Sequence, residues 1–341
     1  MNILIIGLGS IGQRHLRNLK LIEPKAKFYA LRKKNTKPLL NNYGNRAIKG
    51  DIKKKYLLKY IKNLDEINIK KINIDCAFVC TPTALHISQV TWLVKNNINC
   101  FVEKPLSSSL RNINELERLL KKKDKLISMM GFQLRFNPIM HYLENIFKKK
   151  SPVGNILTFH AHHGEHIADQ QPYENYADTY SARKDLGGGL ILNQSHEWDY
   201  MLNLFTDYKF IKKSFFSSKL SNLNINVEDV FTGSFLLKKD HNKMLCTINL
   251  NFLERPKKWK INLIGEKGSI EICLNTNKIC VFKEKKKIIK KFKFKKNDIY
   301  LKEVKFFISK IKSKKQISND LNLLHGIKVL KFALELKKNF K

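Results

Sequence analysis

The sequence has no stretch of about 18 uncharged apolar residues, so it offers no helix able to cross a bilayer. Its start, Met1-Asn2-Ile3-Leu4-Ile5-Ile6-Gly7, has no basic segment ahead of the apolar run and passes straight into glycine-rich sequence, unlike a secretion signal. The cytoplasm is therefore the expected compartment, and no membrane partner is expected. Cysteine is sparse and unpatterned. The six residues Cys76, Cys80, Cys100, Cys246, Cys273 and Cys280 contain no Cys-x-x-Cys pair, which argues against a disulfide framework or a zinc knuckle and for small core residues in a reducing compartment. Acid is scarce as well, with 29 Asp and Glu against 65 Lys and Arg and a formal net charge of +36. Among those bases arginine is rare, only nine residues, and the lysines fall in runs such as Lys53 to Lys55, Lys121 to Lys123, Lys148 to Lys150 and Lys285 to Lys287. Specific readers of nucleic acid favour arginine for bidentate base contacts and interleave aromatic residues. No nucleic-acid partner is expected; the lysines read as a solvated basic surface that also draws in anionic ligands.

What is present is enough for two domains. The chain has 341 residues, 43% of them hydrophobic, more than one ordinary core needs. It opens with an apolar run, Asn2 to Ile6, followed by Gly7-Leu8-Gly9-Ser10-Ile11-Gly12 and a helical pattern through Leu16 and Leu19. Strand, Gly-x-Gly-x-x-Gly turn and helix in this order form a dinucleotide-binding fingerprint. Gly7 permits the tight turn, Gly9 lets the backbone approach a pyrophosphate, and Gly12 allows close packing of helix on strand. Ser10 and Ile11 open the helix, whose free amides suit phosphate. The second strand, near Lys27 to Leu31, ends in Leu31-Arg32-Lys33-Lys34 instead of the acid that takes a ribose 2'-hydroxyl. A basic cluster with Arg32 suits a 2'-phosphate, so NADP(H) is favoured over NAD(H).

Further on, Lys55 to Ile69 is expected to carry a helix. Ile74 to Cys80 reads as a central strand ending at Thr81-Pro82-Thr83, where a helix over Leu85 to Asn96 starts. Thr81 and Pro82 should line the nicotinamide side of the crevice. His86, one turn into the helix, is either a contact of the cofactor or substrate or a half-buried structural histidine. The next apolar run, Cys100 to Val102, ends abruptly in Glu103-Lys104-Pro105, delivering two ionisable groups to the carboxyl edge of an open sheet, where ligands bind.

The second half reads differently. A strand over Lys125 to Met130 leads into Gly131-Phe132-Gln133-Leu134-Arg135-Phe136-Asn137-Pro138, and Pro138 opens a helix over Ile139 to Phe147. From Ser151 a period of two sets in. Ile156, Thr158, His160 and His162 are expected on one face and Leu157, Phe159 and Ala161 on the other. Similar runs at Phe231 to Leu237, Met244 to Phe252, Lys258 to Ile264, Ser269 to Leu274 and Ile279 to Phe282 predict a large, mostly antiparallel sheet, which would serve as substrate domain and as the face of a homo-oligomer. His160, His162, His163 and His166 lack a cysteine and have few acids nearby, so they are read as structural or substrate-contacting histidines, with no metal expected. The segment Gln171 to Tyr176, then Tyr180-Ser181-Ala182-Arg183-Lys184-Asp185-Leu186-Gly187-Gly188-Gly189, then Asn193 to Tyr200, suggests a loop folded over a polyhydroxylated ligand. Helical spacing would put Asn193, His196 and Asp199 or Tyr200 on one face. Tyr300 to Ile311 and Leu321 to Lys337 read as helices, the second capped by Ser318-Asn319-Asp320.

Taken together, the N-terminal Gly-x-Gly-x-x-Gly, the Thr-Pro turn and the terminal Glu-Lys-Pro resemble the Gfo/Idh/MocA family of NAD(P)-dependent oxidoreductases. The run Tyr-Ser-Ala-Arg-Lys-x-Leu-Gly-Gly-Gly is most similar to members associated with surface-sugar or amino-sugar biosynthesis. The resemblance implies an α/β Rossmann domain with a doubly wound parallel sheet, residues 1–127. It also implies an α+β substrate domain, residues 128–319, and a C-terminal helix, residues 320–341, packing back on the first. It further implies that Lys104 is the catalytic or substrate-orienting lysine, that Glu103 helps place the cofactor, that the bond before Pro105 is often cis, and that Arg135 borders the active site. Arg135 is otherwise an interdomain ion pair. Asn193 departs from the family, which often has aspartate there. The expected function is hydride transfer between a nicotinamide and a carbinol or ketone carbon of a sugar or nucleotide-sugar. Lys104 or His196 would handle the proton, and Arg135, Tyr176, Arg183, Asn193 and Asp199 would orient the substrate. The alternatives are a non-catalytic dinucleotide-binding regulator and an enzyme that uses transient oxidation for elimination or epimerisation.

Overall fold

A computed structural model describes residues 1–31, 38–42, 44–149 and 151–338. Its first half alternates strands and helices: β1 (Asn2–Ile6), α1 (Ser10–Ile22), β2 (Lys27–Leu31), a small ribbon of β3 (Leu39–Leu40) and β4 (Ala47–Ile48), and α2 (Ile52–Tyr56). Then come β5 (Lys59–Ile61), α3 (Asp65–Ile69), β6 (Cys76–Val79), α4 (His86–Lys95), β7 (Asn99–Glu103), α5 (Ile113–Lys122) and β8 (Ser128–Gly131). Six strands form one parallel sheet in the order β5-β2-β1-β6-β7-β8. β1, β6 and β7 are continuous apolar runs because helices cover both faces of the sheet, and their residues Ile3 to Ile6, Cys76 to Val79 and Cys100 to Val102 are fully buried. β1 pairs with β2 on one side and β6 on the other, which makes the carboxyl end of β1 the switch point where a crevice opens.

The second half begins with α6 (Pro138–Lys148), β9 (Ile156–Gly164), α7 (Ile167–Gln170), α8 (Leu190–Asn193) and α9 (Ser195–Leu204). It continues through β10 (Lys209–Ser218), β11 (Val230–Lys239), β12 (Asn242–Asn251), β13 (Lys258–Gly265), β14 (Gly268–Cys273), β15 (Lys278–Lys283) and β16 (Lys286–Lys291), and ends with α10 (Lys296–Ser313) and α11 (Leu323–Lys337). These strands make an eight-stranded sheet in the order β10-β11-β12-β9-β13-β14-β15-β16, antiparallel except where β12 meets β9. Its inner face packs on α8 and α9: Phe159 meets Phe205 at 5.2 Å between ring centroids, and Trp198 meets Phe231 at the same distance. The outer face is open, and His160, His162, Thr247, Asn249, Lys258 and Asn262 help line a shallow cavity of about 340 Å³ on it. α11 returns to the first sheet: it packs on α5 and β8 as well as on α8 and α9, and the Met130 N–H donates to the Leu321 carbonyl just ahead of it at 3.0 Å.

Several local expectations need correction. The stretch 55–69 is not one helix; β5 interrupts it and pairs with β2. In β9 the register slips at Gly265/Ile156. Ile156 therefore shares the buried side with Phe159, while Leu157 is exposed, because a bulge inserts one residue and inverts the alternation before it. The helix expected to carry Asn193 and His196 together is broken at Gln194. α11 is capped not by Ser318 to Asp320 but by Asn322, whose side chain accepts from the His325 N–H.

Candidate active site

The glycine turn after β1 is built for a close neighbour. Gly7 has φ +99°, and a Cβ there would stand 2.7 Å from the Cys80 carbonyl carbon; a Cβ on Gly12 would stand 2.0 Å from the Gly7 oxygen. Both sites exclude any side chain. A Cβ on Gly9, in contrast, would meet nothing within 4 Å, which leaves that side of the turn open. α1 starts at Ser10 with no side-chain cap and no acid in its first turn, so the N–H groups around Ser10 and Ile11 and the positive end of the helix dipole face the open side. This donor set fits a pyrophosphate. Ser10 Oγ donates to the Gly44 carbonyl at 3.1 Å, and the buried Gln13 amide holds the loop by donating to Leu8 and Pro38 carbonyls and accepting from Leu40 N–H. A cavity of about 540 Å³ lined by Asn41, Asn45, Arg46, Pro172 and Tyr173 opens nearby. Arg32 lies outside the described residues.

The ends of β6 and β7 complete the crevice. The Thr81 hydroxyl donates to Gln89 Oε1 at 2.7 Å, and Pro82 leads into a single 3-10 turn, Thr83–Leu85. His86 is fully engaged within the protein: Nδ1 lies 2.9 Å from the Pro105 carbonyl and Nε2 2.8 Å from the Thr81 carbonyl. It ties the two loops together and has no ring nitrogen left for a ligand, which corrects the expectation of a cofactor contact. Glu103 is buried, with Oε1 2.6 Å from His15 Nε2. His15, on the buried side of α1 among Phe78, Phe101 and Tyr300, was not anticipated. Its partner is 88 residues away, and nothing local marks it. The Lys104–Pro105 bond is cis.

Lys104 emerges beside the second domain. Its Nζ donates to the Asn193 carbonyl at 2.5 Å and to Asn193 Oδ1 at 3.3 Å. The same Oδ1 accepts from the Tyr180 hydroxyl at 3.1 Å, while Asn193 Nδ2 donates to Gln170 Oε1 and Ser181 Oγ, both at 3.0 Å. Asparagine suits this position because it must both accept and donate; an aspartate could only accept. Tyr180 reaches Asn193 because the chain folds back tightly at Gly188, where a Cβ would stand 2.0 Å from the Tyr180 carbonyl oxygen. One turn further, His196 is buried with neither ring nitrogen hydrogen-bonded. Burial, and then the charge of Lys104, hold its pKa well below the ordinary histidine value, so the imidazole is neutral.

The other expected substrate contacts lie elsewhere. Arg135 and Asp199 are buried and paired to each other, Nε to Oδ2 at 2.8 Å and Nη2 to Oδ1 at 2.9 Å. Asp199 also accepts from or shares a proton with His325 Nε2 at 2.7 Å. Arg135 is thus held in an ion pair within the second half of the chain, not in the interdomain pair expected as its alternative, and neither residue offers a free group to a ligand. Arg183 is exposed and forms a fork with Asp185 at 3.1 and 2.7 Å. The Tyr176 hydroxyl accepts from the Asn224 N–H at 3.2 Å, fastening the loop to the segment ahead of β11. Of the clustered histidines, His160 meets Thr247 and His162 meets Glu254 on the open face, His166 accepts from Ala168 N–H, and buried His163 pairs with Glu197 at 2.9 Å. Glu303 on α10 was also unanticipated: fully buried, with both carboxyl oxygens unpartnered, it is pushed well above the carboxylate range by burial and then by Glu103 and Asp199.

Fold and site together define an α/β parallel-sheet half and a second half built on a large, mostly antiparallel sheet, with an open glycine turn after β1 and a lysine at the end of β7 that meets Asn193 of α8, ahead of buried His196 on α9. Residues 1–132 match the Gfo/Idh/MocA family model, described as "Oxidoreductase family, NAD-binding Rossmann fold". The chain is 30% identical over 203 residues to the myo-inositol 2-dehydrogenase of Thermotoga maritima, a match covering 58% of this chain and 53% of that protein. It thus spans about half the length of the curated relatives it matches. Two solved structures share the fold over nearly the whole chain. UDP-N-acetylglucosamine 3-dehydrogenase from Acidithiobacillus ferrooxidans aligns with a TM-score of 0.74 at 14% identity, covering 99% of this chain and 97% of the other. Levoglucosan dehydrogenase in complex with NADH and levoglucosan aligns with a TM-score of 0.77 at 13% identity, covering 99% and 96%. Among the described residues no helix is long and apolar enough to cross a membrane.

Proposed function

We propose that this protein is an NADP(H)-linked oxidoreductase that moves hydride between the nicotinamide and a carbinol or ketone carbon of a sugar or sugar derivative. The observation that carries the reading is the pair at the sheet edge: an ammonium anchored on Asn193 beside a buried, neutral histidine with both nitrogens unpartnered. Buried polar atoms are almost always satisfied, so the two free nitrogens of His196 support a ligand that supplies partners there. The relatives' names, dehydrogenases of inositols among them, support the CH–OH chemistry. The basic sequence Arg32-Lys33-Lys34 after β2 supports the 2'-phosphate form of the cofactor. The exposed Leu245 and Ile264, flanking Thr158 on the open sheet face, support self-association there, and the six free cysteines suit the cytoplasm.

Glu103, pinned by His15, and the amides around Ser10 would hold the dinucleotide, whose nicotinamide accepts or supplies the hydride. In the oxidation direction a substrate hydroxyl loses its proton to a nitrogen of neutral His196 as hydride leaves the carbon; in reduction the resulting imidazolium returns that proton to the carbonyl oxygen. Lys104 has three N–H donors and spends two on Asn193, which leaves one for the reacting oxygen. That donor stabilises negative charge on the oxygen as it develops. Lys104→Ala and His196→Ala are each expected to cut turnover at least roughly a hundredfold while leaving NADPH affinity unchanged. Cofactor absorbance over a panel of sugars and nucleotide-sugars is the readout, and near-normal turnover in both variants would remove the reading.

A further inference from the structure

The glycine run ahead of Asn193 is held by two residues that the proton transfer does not use. Glu228, just ahead of β11, is fully buried. Its main-chain carbonyl accepts from the Leu190 N–H at 3.3 Å and its Oε1 from the Ile191 N–H at 3.1 Å, so it satisfies the first two amides of α8. Lys337, the last residue of α11, reaches the same point: its Nζ donates to the Gly188 carbonyl at 3.1 Å and lies 3.3 Å from Glu228 Oε2. Gly189, at φ +117°, makes room for both, since a Cβ there would stand 2.6 Å from Glu228 Oε1 and 2.7 Å from Lys337 Nζ. On the other flank a Cβ on Gly187 would stand 2.8 Å from Ser108 Cβ and 3.0 Å from the Ala84 nitrogen, in the loops that follow β7 and β6. Burial raises the Glu228 carboxyl above its ordinary value, against the charge of Lys337.

A buried ion pair adds little stability, because desolvation offsets the attraction; what this one supplies is direction, with acceptors and a donor converging on the loop from Gly188 to Ile191. α8 is a single turn of four residues, Leu190 to Asn193, too short to hold its place by its own hydrogen bonds. Its position is set from its two ends. Asn193 at one end receives Lys104, whose Nζ donates to its carbonyl at 2.5 Å; Glu228 and Lys337 fix the other. Four helical residues span only about 6 Å, so a shift at Gly188 or Leu190 passes on to the Asn193 carbonyl. Lys104 then loses its anchor, and its third N–H loses its aim at the reacting oxygen. We propose, resting on the function argued above, that Glu228 and Lys337 are positioning residues for Lys104: their ion pair, joining the end of α11 to the segment ahead of β11, holds α8 where its last carbonyl fixes the Lys104 ammonium.

The test is acetylation of Lys104 by limiting acetic anhydride, read by mass spectrometry with the exposed Lys286 of β16 as internal reference, beside steady-state kinetics and thermal unfolding of each variant. Lys337→Met is expected to raise the labelling of Lys104 relative to Lys286 roughly tenfold, the loss of one charge-assisted hydrogen bond. It should lower kcat roughly tenfold or more while KM for NADPH stays within about twofold. Lys337→Arg, whose fork can serve both the Gly188 carbonyl and Glu228, should restore both readings. Lys331→Met, which removes an exposed lysine of α11 paired with Glu117, should change neither. Where Lys337→Met alone does not fold, Lys337→Met combined with Glu228→Gln leaves no unpaired buried carboxylate. That double variant is expected to release Lys104 in the same way, because the Gly188 carbonyl still lacks its donor. A merely structural pair would lower the unfolding midpoint and leave the labelling ratio and kcat unchanged, and that result would overturn the proposal. So would equal changes in Lys331→Met, failure of Lys337→Arg to restore either reading, or release of Lys104 with kcat intact. Labelling needs no turnover, so release of Lys104 in a protein that oxidises no sugar supports the positioning and defeats the hydride reading instead.

Discussion

Arg135 and His196 are both buried and lead opposite lives. Arg135 is compensated on every side, by Asp199 through two hydrogen bonds and by the Asp320 carbonyl at 3.1 Å, whereas His196 is left without any. A buried group with all its partners is structural; a buried group with none, next to a cation at a sheet edge, is waiting for one. Arg135→Ala should therefore act on stability. It strips Asp199 of its main cation, leaving His325 alone beside a fully buried carboxylate, and is expected to cost about 3–5 kcal/mol. Chemical denaturation measures this, and a normal unfolding midpoint with a raised KM would restore Arg135 as a substrate contact. Lys104 and His196 stand out in the sequence because each follows a strand end or a glycine run, where local pattern carries meaning. The sequence could not separate Arg135 and Asp199 from them: those two are 64 residues apart, and an arginine after an aromatic reads the same whether it faces a ligand or an acid.

At the scale of elements, legibility followed burial. β1, β6 and β7 are apolar throughout because both faces of the parallel sheet are covered, and their runs end where the ligand edge begins. β10 and β16 went unseen. Both lie at the edges of the eight-stranded sheet, and every residue of β16, Lys286 to Lys291, is exposed. Their lysines discourage pairing with another chain; β16 has no buried face, and β10 turns inward only at Phe210, Phe215 and Ser217, too few to write an alternation. The glycine turn is the element whose sequence and geometry agree most closely, and it can be challenged by one methyl group. Gly12→Ala would set a Cβ 2.0 Å from the Gly7 oxygen, closer than any real contact, so the turn must open and its amides leave their positions. The variant is expected to lose roughly a hundredfold or more in NADPH affinity, about 2.7 kcal/mol, while the second sheet keeps its structure. Cofactor fluorescence titration together with far-ultraviolet circular dichroism checks both, and retained affinity would show that the turn does not hold the dinucleotide.

Across the whole molecule the dominant physical fact is the formal charge of +36. Exposed ion pairs such as Lys331–Glu117, Lys121–Glu117 and Arg255–Asp169 each add little, up to about 1 kcal/mol. The 29 acids are too few to neutralise 65 bases, so most surface charges face others of the same sign, and folding must bring these repelling charges closer together than in the unfolded chain. Added salt weakens both the attractions and the repulsions, shrinking the screening length from roughly 30 Å at 0.01 M to about 8 Å at 0.15 M. With the repulsions in the majority, the net effect should be stabilising. The midpoint of thermal unfolding is expected to rise by about 1–2 °C for each kcal/mol gained between these two sodium chloride concentrations, given the entropy of unfolding of a chain of this length. Differential scanning calorimetry in a fixed buffer measures it. A falling midpoint would mean that the few carboxylates are placed well enough to outweigh the excess of lysine, and that the basic surface is organised by its ion pairs.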